Sequence, residues 1–255
     1  MISRGHWLGI GLLALGGCGD VAGPSAFDDT VVYDLAVLAA DATLEDVALW
    51  AQPFVFGPLL SPGPVLGPGR PGGHHGWSGE LSGTRSVTFY DVDGIEQTEY
   101  DPLLTEIVHL EHEVMGDVTR EDFAASVHRT RFLDVSGLSG EETQRTWNGT
   151  GSEEVSRDRF LDGGLIHSYD ATGSVTYEDV VVPIPGTEPP YPLSGTIRRT
   201  MAATVTDESG EHTRDVAILI TFDGTSTPTA SVNGEEVQID LAAQEGQHPL
   251  HRPRT

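Results

Sequence analysis

The chain has 255 residues, which is enough for one domain with a substantial hydrophobic core. It carries 39 acidic residues against 14 basic ones, all of them arginine, and its formal net charge is −25 at pH 7. Such a chain repels phosphate groups, so the composition argues against a nucleic-acid partner and against binding to anionic lipid headgroups. The single cysteine, Cys18, excludes an intramolecular disulfide.

The N-terminal segment has the pattern of a secretory signal. Arg4 precedes an apolar run over residues 7–15, and the small residues Gly16 and Gly17 follow that run. The apolar run is too short for a transmembrane helix, which needs about 20 residues. The pattern therefore predicts a signal peptide over residues 1–17.

The sequence Leu15-Gly16-Gly17-Cys18 resembles the lipobox of bacterial lipoproteins. The resemblance implies cleavage before Cys18, acylation of that cysteine and tethering to a membrane of the cell envelope through the attached lipid. In enterobacterial lipoproteins an Asp after the cysteine retains the protein at the inner membrane. Gly19 at this position implies the outer membrane, with the protein facing the periplasm or the cell surface. The alternative is an ordinary secretory signal with a cysteine near its cleavage site by chance.

Residues 28–52 have the apolar periodicity of a helical region, which Asp29 or Thr30 can cap. The spacing predicts one helix with a break near Asp41 or two short helices, because Thr43 and Asp46 are spaced like a capping box.

Three segments are predicted to lack regular structure. Residues 18–27 are small and polar and suit a tether. Residues 53–76 are rich in proline and glycine, which fit neither a helix nor a central strand, so a linker or a long surface loop is predicted there. Residues 242–255 are polar and are predicted to be a disordered tail.

From residue 77 to residue 241 the apolar period becomes two and turn residues recur at short intervals, which predicts about a dozen strands. Consecutive strands joined by tight turns are antiparallel, because parallel strands need long crossovers. The predicted fold is mainly β: an antiparallel meander that forms a large curved sheet or an open barrel, with the N-terminal helical region packed in its concavity. This outline resembles the architecture of the LolA and LolB lipoprotein carriers.

The clearest predicted turn is Asn233-Gly234, which fits a type I′ hairpin because both residues tolerate positive φ. In the return strand Val237 and Ile239 should face the core, with Gln238 on the other side. Turns are also predicted within residues 148–151 and at Thr172-Gly173.

One predicted strand offers a candidate metal site. His109, Glu111 and Glu113 project from the same face at alternate positions, which is a spacing that metal ligands on a strand can use. The alternative is a solvated polar face opposite the apolar side of the strand. His112 falls on that apolar side and is predicted to be a partly buried, hydrogen-bonded histidine.

Two further candidate sites lie elsewhere in the sequence. His74 and His75 are adjacent in a glycine-rich segment and could bind a transition metal, or they are ordinary polar loop residues. Arg145, Trp147 and Asn148 could hold a sugar against an exposed tryptophan ring, or Trp147 lies in the core.

No nucleophile elbow and no phosphate-binding loop occurs in the sequence, and no cofactor is predicted. The leading hypothesis is a membrane-anchored envelope lipoprotein with a non-enzymatic binding or scaffolding role, whose partner is an envelope protein. The alternative is a carrier or sensor that holds a lipophilic ligand in a cleft between sheet and helix. A metal-dependent hydrolase is the third hypothesis. An apolar cleft would favour the carrier, a filled core the scaffold, and a cleft with clustered carboxylates and histidine the enzyme.

Overall fold

The computed structural model describes residues 29–51, 81–119, 123–161, 164–184, 186–207, 210–242 and 250–251. Within these ranges one helix precedes eleven strands, which form a single sheet in which every pairing is antiparallel. The sheet order is β2-β1-β3-β4-β5-β6-β7-β8-β9-β10-β11. The elements are α1 (Thr30–Trp50), β1 (Leu81–Asp91), β2 (Glu96–Gln97), β3 (Thr105–Thr119), β4 (Phe123–Ser136), β5 (Gln144–Leu161), β6 (Gly164–Pro183), β7 (Ser194–Asp207), β8 (Gly210–Thr221), β9 (Thr229–Val232), β10 (Glu235–Ile239) and β11 (Leu250–His251).

The predicted fold class is confirmed. The protein is mainly β, its sheet is an antiparallel meander, and a single N-terminal helix precedes the sheet in the described part of the chain. The sheet is curved and does not close into a barrel, because β2 and β11 remain as its two edges.

Helix α1 has a conventional start and end. The side chain of Asp29 caps its start by accepting a hydrogen bond from the backbone N–H of Val31 over 3.0 Å. At the other end the backbone N–H of Ala51 donates to the carbonyl of Val47 over 3.1 Å. The predicted cap at Asp29 is therefore confirmed.

The interior of α1 differs from the prediction. The helix is continuous over 21 residues, so the predicted break near Asp41 is wrong, and so is the capping box predicted at Thr43 and Asp46. The Thr43 hydroxyl donates to the carbonyl of Ala39 over 2.9 Å, which satisfies this polar group within the helix. Asp46 turns to partners on the sheet and not to the helix backbone.

The two faces of the sheet differ in polarity. Burial alternates along the strands, as β8 shows from Val216 to Thr221, and α1 packs on the side where the buried residues lie. We call the side that packs against α1 the inner face and the opposite side the outer face. Apolar residues of α1, such as Leu35 and Leu38, join inner-face residues such as Ile197 and Ile218 in one core.

Strands β5 and β6 are longer than predicted. The turns predicted within residues 148–151 and at Thr172-Gly173 are wrong, because both segments lie inside continuous strands. Gly149 follows a register shift after Trp147 and has a φ of +150°, and a Cβ there would lie 2.1 Å from the carbonyl oxygen of Phe132. A close neighbouring strand therefore explains this glycine, at a bulge and not at a turn.

The hairpin between β9 and β10 matches the prediction. Asn233 and Gly234 have φ values of 51° and 84°, as a type I′ turn requires. Val237 and Ile239 are buried and Gln238 is exposed, so the predicted register is confirmed.

The C-terminal tail is corrected at one point. Leu250 and His251 form β11 and pair with Ile239 and Gln238 of β10, so these two residues are not disordered as predicted for residues 242–255. The predicted signal peptide, Cys18, the tether, the 53–76 linker and His74 with His75 lie outside the described residues.

Candidate functional site

The sheet buries arginines as well as apolar side chains. The partners of these arginines decide whether their burial is tolerated, because a buried charge without a partner costs several kcal/mol. Most of these partners come from α1, whose buried side includes carboxylates among the apolar side chains. The buried arginines are Arg129, Arg131, Arg145, Arg157 and Arg199.

Asp46 of α1 is the centre of a buried cluster with Arg131, Glu153, Tyr177 and Arg199 of the sheet, which we call the Asp46 cluster. Arg131 Nε donates to Asp46 Oδ1 over 3.2 Å, and the Tyr177 hydroxyl donates to Asp46 Oδ2 over 2.7 Å. Arg131 Nη2 donates to Glu153 Oε1 over 2.6 Å. Arg199 donates to both carboxylates. Two arginines thus balance two carboxylates.

The electrostatics of the Asp46 cluster keep Glu153 and Arg199 charged at neutral pH. Burial raises the pKa of Glu153, but Arg199, Arg131 and Arg129 outweigh burial and lower that pKa to about 2. Burial opposes the charge of Arg199, whereas Glu153 and Asp46 raise its pKa above the ordinary value. Burial also raises the pKa of the Tyr177 hydroxyl, so the phenol stays protonated and donates to Asp46.

Further ion pairs fix α1 along the sheet. Asp34 Oδ1 accepts from Arg159 Nη1 over 2.9 Å and lies 3.1 Å from Arg157 Nη2. Arg157 Nη1 also donates to the backbone carbonyl of Asp34 over 3.1 Å. Later in the helix, Glu45 accepts from Arg129 Nη1 over 2.6 Å. These contacts join α1 to β4 and β5 and set the position of the helix along its axis.

Aromatic side chains fill the contact at the C-terminal end of α1. The ring centroid of Trp50 lies 5.8 Å from that of Trp147, 5.9 Å from Tyr177 and 6.5 Å from Phe222. Trp50 and Trp147 are 1% and 0% exposed. The space between helix and sheet at this end is therefore occupied by side chains.

The structure does not assemble the sugar site predicted at Arg145, Trp147 and Asn148. Trp147 is a core residue, as the alternative predicted, and has no face free for a ligand. Arg145 Nη2 donates to Glu142 over 3.3 Å. The side-chain oxygen of Asn148 accepts from the backbone N–H of Asp179 over 2.8 Å. Each of the three side chains is committed to different neighbours.

The predicted metal ligands share one face but do not converge. His109, Glu111 and Glu113 project from the outer face of β3. His109 Nδ1 contacts Asp134, and Glu113 accepts from His128 Nε2 over 2.8 Å. Among the described residues, no group of three or more His, Cys, Asp or Glu side chains is placed to hold a metal ion. The contacts match the alternative, a solvated polar face.

His112 is on the inner face, opposite Arg85 of β1 on one side and Arg131 of β4 on the other. It is 8% exposed, so its predicted burial is confirmed. Its Nε2 has no hydrogen-bond partner among the described residues, so the predicted hydrogen bond is wrong for that atom. Burial lowers the pKa of His112 to about 4, with Arg131 and Arg85 adding to the lowering and Asp46 opposing it.

Two open grooves cross the outer face. One has a volume of about 520 Å³ and runs over β3 to β6, and the other has about 450 Å³ and runs from β6 over β8 to Asn233 in the turn after β9. Thr172 lines both, so the grooves adjoin. Their outward side chains combine hydroxyl, carboxylate and aliphatic groups. They include Met115, Asp117, Ser126, His128, Glu154, Ser156, Asp170, Ser174, Thr200, Ala202, Asp215 and Ala217.

A row of hydroxyl groups accompanies the grooves. The hydroxyl oxygens of Thr130 and Ser152 are 2.8 Å apart, and those of Ser174 and Thr200 are 3.0 Å apart. The four residues follow one another in register across β4, β5, β6 and β7. This arrangement offers both donors and acceptors to a partner lying across the strands.

Sequence reasoning did not find the Asp46 cluster. A signal was present in the alternation of the strands, because Arg131, Glu153 and Arg199 occupy positions that belong to the buried face. Acidic residues inside an apolar helix were the complementary signal. The pairing itself joins residues 85 and 153 positions apart, which no local pattern encodes.

No helix in the described part of the chain is long and apolar enough to cross a membrane. The chain matches no protein-family model, no curated protein sequence and no solved structure.

Proposed function

We propose that this protein is a lipid-anchored component of the cell envelope, tethered through Cys18, with a non-enzymatic binding or scaffolding role. We further propose that the grooved outer face of its sheet is the surface that engages its partner. The main observation behind this proposal is that α1 occupies the inner face, while the two adjoining grooves lie on the outer face.

The packing of α1 supports a binding or scaffolding role over a carrier. A carrier of lipophilic ligands needs an apolar cleft between helix and sheet, whereas Trp50, Trp147 and Tyr177 fill that contact at one end of the helix. The Asp46 cluster and the Asp34 ion pairs tie the helix to the sheet along its length. Opening this contact would expose paired charges that are stable only together.

The chemistry of the grooves supports a polar partner from the envelope. Asp117, Glu154, Asp170 and Asp215 line the grooves, and the chain as a whole has a net charge of −25. A surface of this kind repels phosphate polyanions and suits a protein with basic or hydroxyl-bearing groups. The partner class is therefore an envelope protein, reached from the membrane by a short tether.

The anchor is tested by replacing Cys18 with Ser in the native host. We expect the variant to move from the membrane fraction to the soluble fraction or to remain unprocessed, because the thiol that carries the lipid is gone. Partition of the variant with membranes at the wild-type level would refute the anchor.

The binding face is tested by photo-crosslinking in cells. A photoreactive residue is introduced at Ser156 and at Ala202, which are exposed and line the two grooves. The matched control is Glu236, which is exposed on the last hairpin outside both grooves. We expect a discrete crosslinked product from the groove positions alone. Equal yields at all three positions, or products only at Glu236, would refute the proposed face.

A further inference from the structure

Arg85, a cation of the inner face, has no carboxylate partner among the described residues. Arg85 of β1 is half-buried, and its Nε has no hydrogen-bond partner among the described residues. Burial lowers the pKa of Arg85, and no acidic side chain in the described part of the chain offsets that effect. Across the strand pair, His112 is opposite Arg85 and leaves its own Nε2 without a partner.

The contrast with the neighbouring arginines is sharp. Arg131 is directly opposite His112 on β4, so that Arg85, His112 and Arg131 form one row across three neighbouring strands. Arg131 donates to two carboxylates and to two backbone carbonyls. Arg199, in the same row on β7, also donates to two carboxylates. The chain has 39 acidic residues against 14 arginines, so a shortage of carboxylates does not explain why Arg85 lacks one. A buried polar atom left unpaired costs free energy, so Arg85 Nε and His112 Nε2 are two adjacent polar atoms whose hydrogen-bonding capacity is not used within the described part of the chain.

We propose that Arg85 and His112 form a binding site for a small carboxylate ligand at the β1–β3 side of the inner face. The guanidinium of Arg85 presents Nε–H and Nη–H as a fork that matches the two oxygens of a carboxylate. His112, with its proton on Nε2, adds one further donor. The site is independent of the outer-face grooves, so either proposal can fail alone.

The charge of the site favours a monoanion over a phosphate. His112 is neutral at pH 7, because burial lowers its pKa, so the pair of side chains carries a single positive charge. One arginine with one neutral donor balances a carboxylate, whereas a phosphate dianion would need a second cation.

The surroundings favour an aliphatic substituent on the carboxylate. Leu110 and Val114 flank His112 on the same face of β3 and are 1% and 6% exposed. Val87 flanks Arg85 on β1, pairs with Leu110 and packs against the core. A short aliphatic acid would place its charged end on Arg85 and its hydrocarbon part beside Val87, which is only partly buried.

The experiment uses butyrate as the probe, the uncharged butyramide as its isostere, and inorganic phosphate as the competing anion. Each is titrated into the full-length protein while the ring resonances of His112 are followed by NMR. The His112→Gln variant assigns those resonances. Arg85→Gln tests the site, and Arg198→Gln, which removes an exposed arginine from the outer face of β7, is the matched control. Thermal melts establish that both variants are folded.

We expect a saturable shift of the His112 resonances with butyrate and none with butyramide. The half-saturating butyrate concentration should rise about tenfold or more in Arg85→Gln, because charge-assisted hydrogen bonds are lost, and should not change in Arg198→Gln. The proposal is overturned if folded Arg85→Gln binds butyrate as well as wild type, if butyramide binds equally, or if butyrate gives no saturable shift. Tighter binding of phosphate than of butyrate would overturn the assignment of a carboxylate ligand.

Discussion

At the scale of single residues, this protein depends on charges placed where apolar side chains are usual. Asp46 accepts hydrogen bonds from Arg131, Arg199 and Tyr177, all at most 3% exposed. Such a cluster gains little stability over an apolar core, but removing one member leaves the others uncompensated. Each guanidinium nitrogen of Arg131 and Arg199 donates at least one hydrogen bond, so the cluster specifies how the helix sits on the sheet.

Replacing Asp46 with Asn should therefore be strongly destabilising. The two arginines would face one carboxylate, and we expect a loss of about 3–5 kcal/mol in the free energy of unfolding. The control is Glu113→Gln, which breaks an exposed pair with His128 and should cost about 1 kcal/mol or less. Urea unfolding of both variants measures the difference. Similar losses for the two would show that the Asp46 cluster is not the sensitive element.

The burial of His112 predicts that the stability of the folded protein decreases as the pH falls. Its pKa falls from 6.5 in the unfolded chain to about 4 in the folded protein, so the unfolded state binds the proton more readily. This contribution to stability is complete above pH 6.5 and is lost as the pH falls towards 4, by about 3 kcal/mol at most. Unfolding of His112→Gln, measured over the same pH range, should lack this loss. An equal loss in the variant would contradict the prediction.

At the scale of elements, local and tertiary causes can be separated. The turn between β9 and β10 is local, because Asn233 and Gly234 themselves tolerate the positive φ values that it requires. The continuity of β5 is tertiary, because Gly149 is required by the carbonyl of Phe132 on β4. Glycine is thus required for a turn at position 234 and for a close contact between strands at position 149.

The last hairpin gives a graded test of its register. Gly234→Val forces a β-branched residue to positive φ and should cost about 1–3 kcal/mol. Ile239→Asp should cost more, because it places a carboxylate without a partner at a position that is 0% exposed. Gln238→Asp, on the exposed side, should be nearly silent. Thermal melts rank the three variants, and a loss for Gln238→Asp as large as that for Ile239→Asp would argue against this register.

At the scale of the whole molecule, helix and sheet are one cooperative unit. Most residues of α1 are buried against the sheet, and its carboxylates pair with β4, β5 and β7. In the proposed orientation the tether precedes α1, so the helix connects the lipid to the sheet. The attachment of the sheet to the membrane would then rest on the packing of α1 as well as on the covalent chain.

This arrangement predicts that cutting the chain after α1 will not release the sheet. A specific protease site is inserted within residues 60–70, in the segment rich in proline and glycine, and the full-length protein is cleaved. We expect both fragments to co-elute on gel filtration and to separate only in denaturant, because buried ion pairs and aromatic contacts hold them. The Asp46→Asn variant should separate at lower urea. Elution of the sheet fragment alone in buffer would contradict the prediction.

The sequence alone determined those features that depend on near neighbours. The cap at Asp29, the hairpin at Asn233-Gly234 and the alternation along each strand follow from local φ preferences and from periodicity. Short turns between strands then required an antiparallel meander, so the fold class was predictable. The lipobox resemblance at Cys18 is equally local, and it stays a prediction.

The tertiary structure decided the rest, because the interactions concerned join distant residues. The continuous α1, the long β5 and β6 and the Asp46 cluster all depend on contacts between elements far apart in the chain, such as Arg199 with Asp46 at a separation of 153 residues. The candidate sites depend on the same contacts. Trp147 lies in the core against Trp50 of α1, and the carboxylates Asp34, Glu45 and Asp46 of α1 pair with arginines other than Arg85.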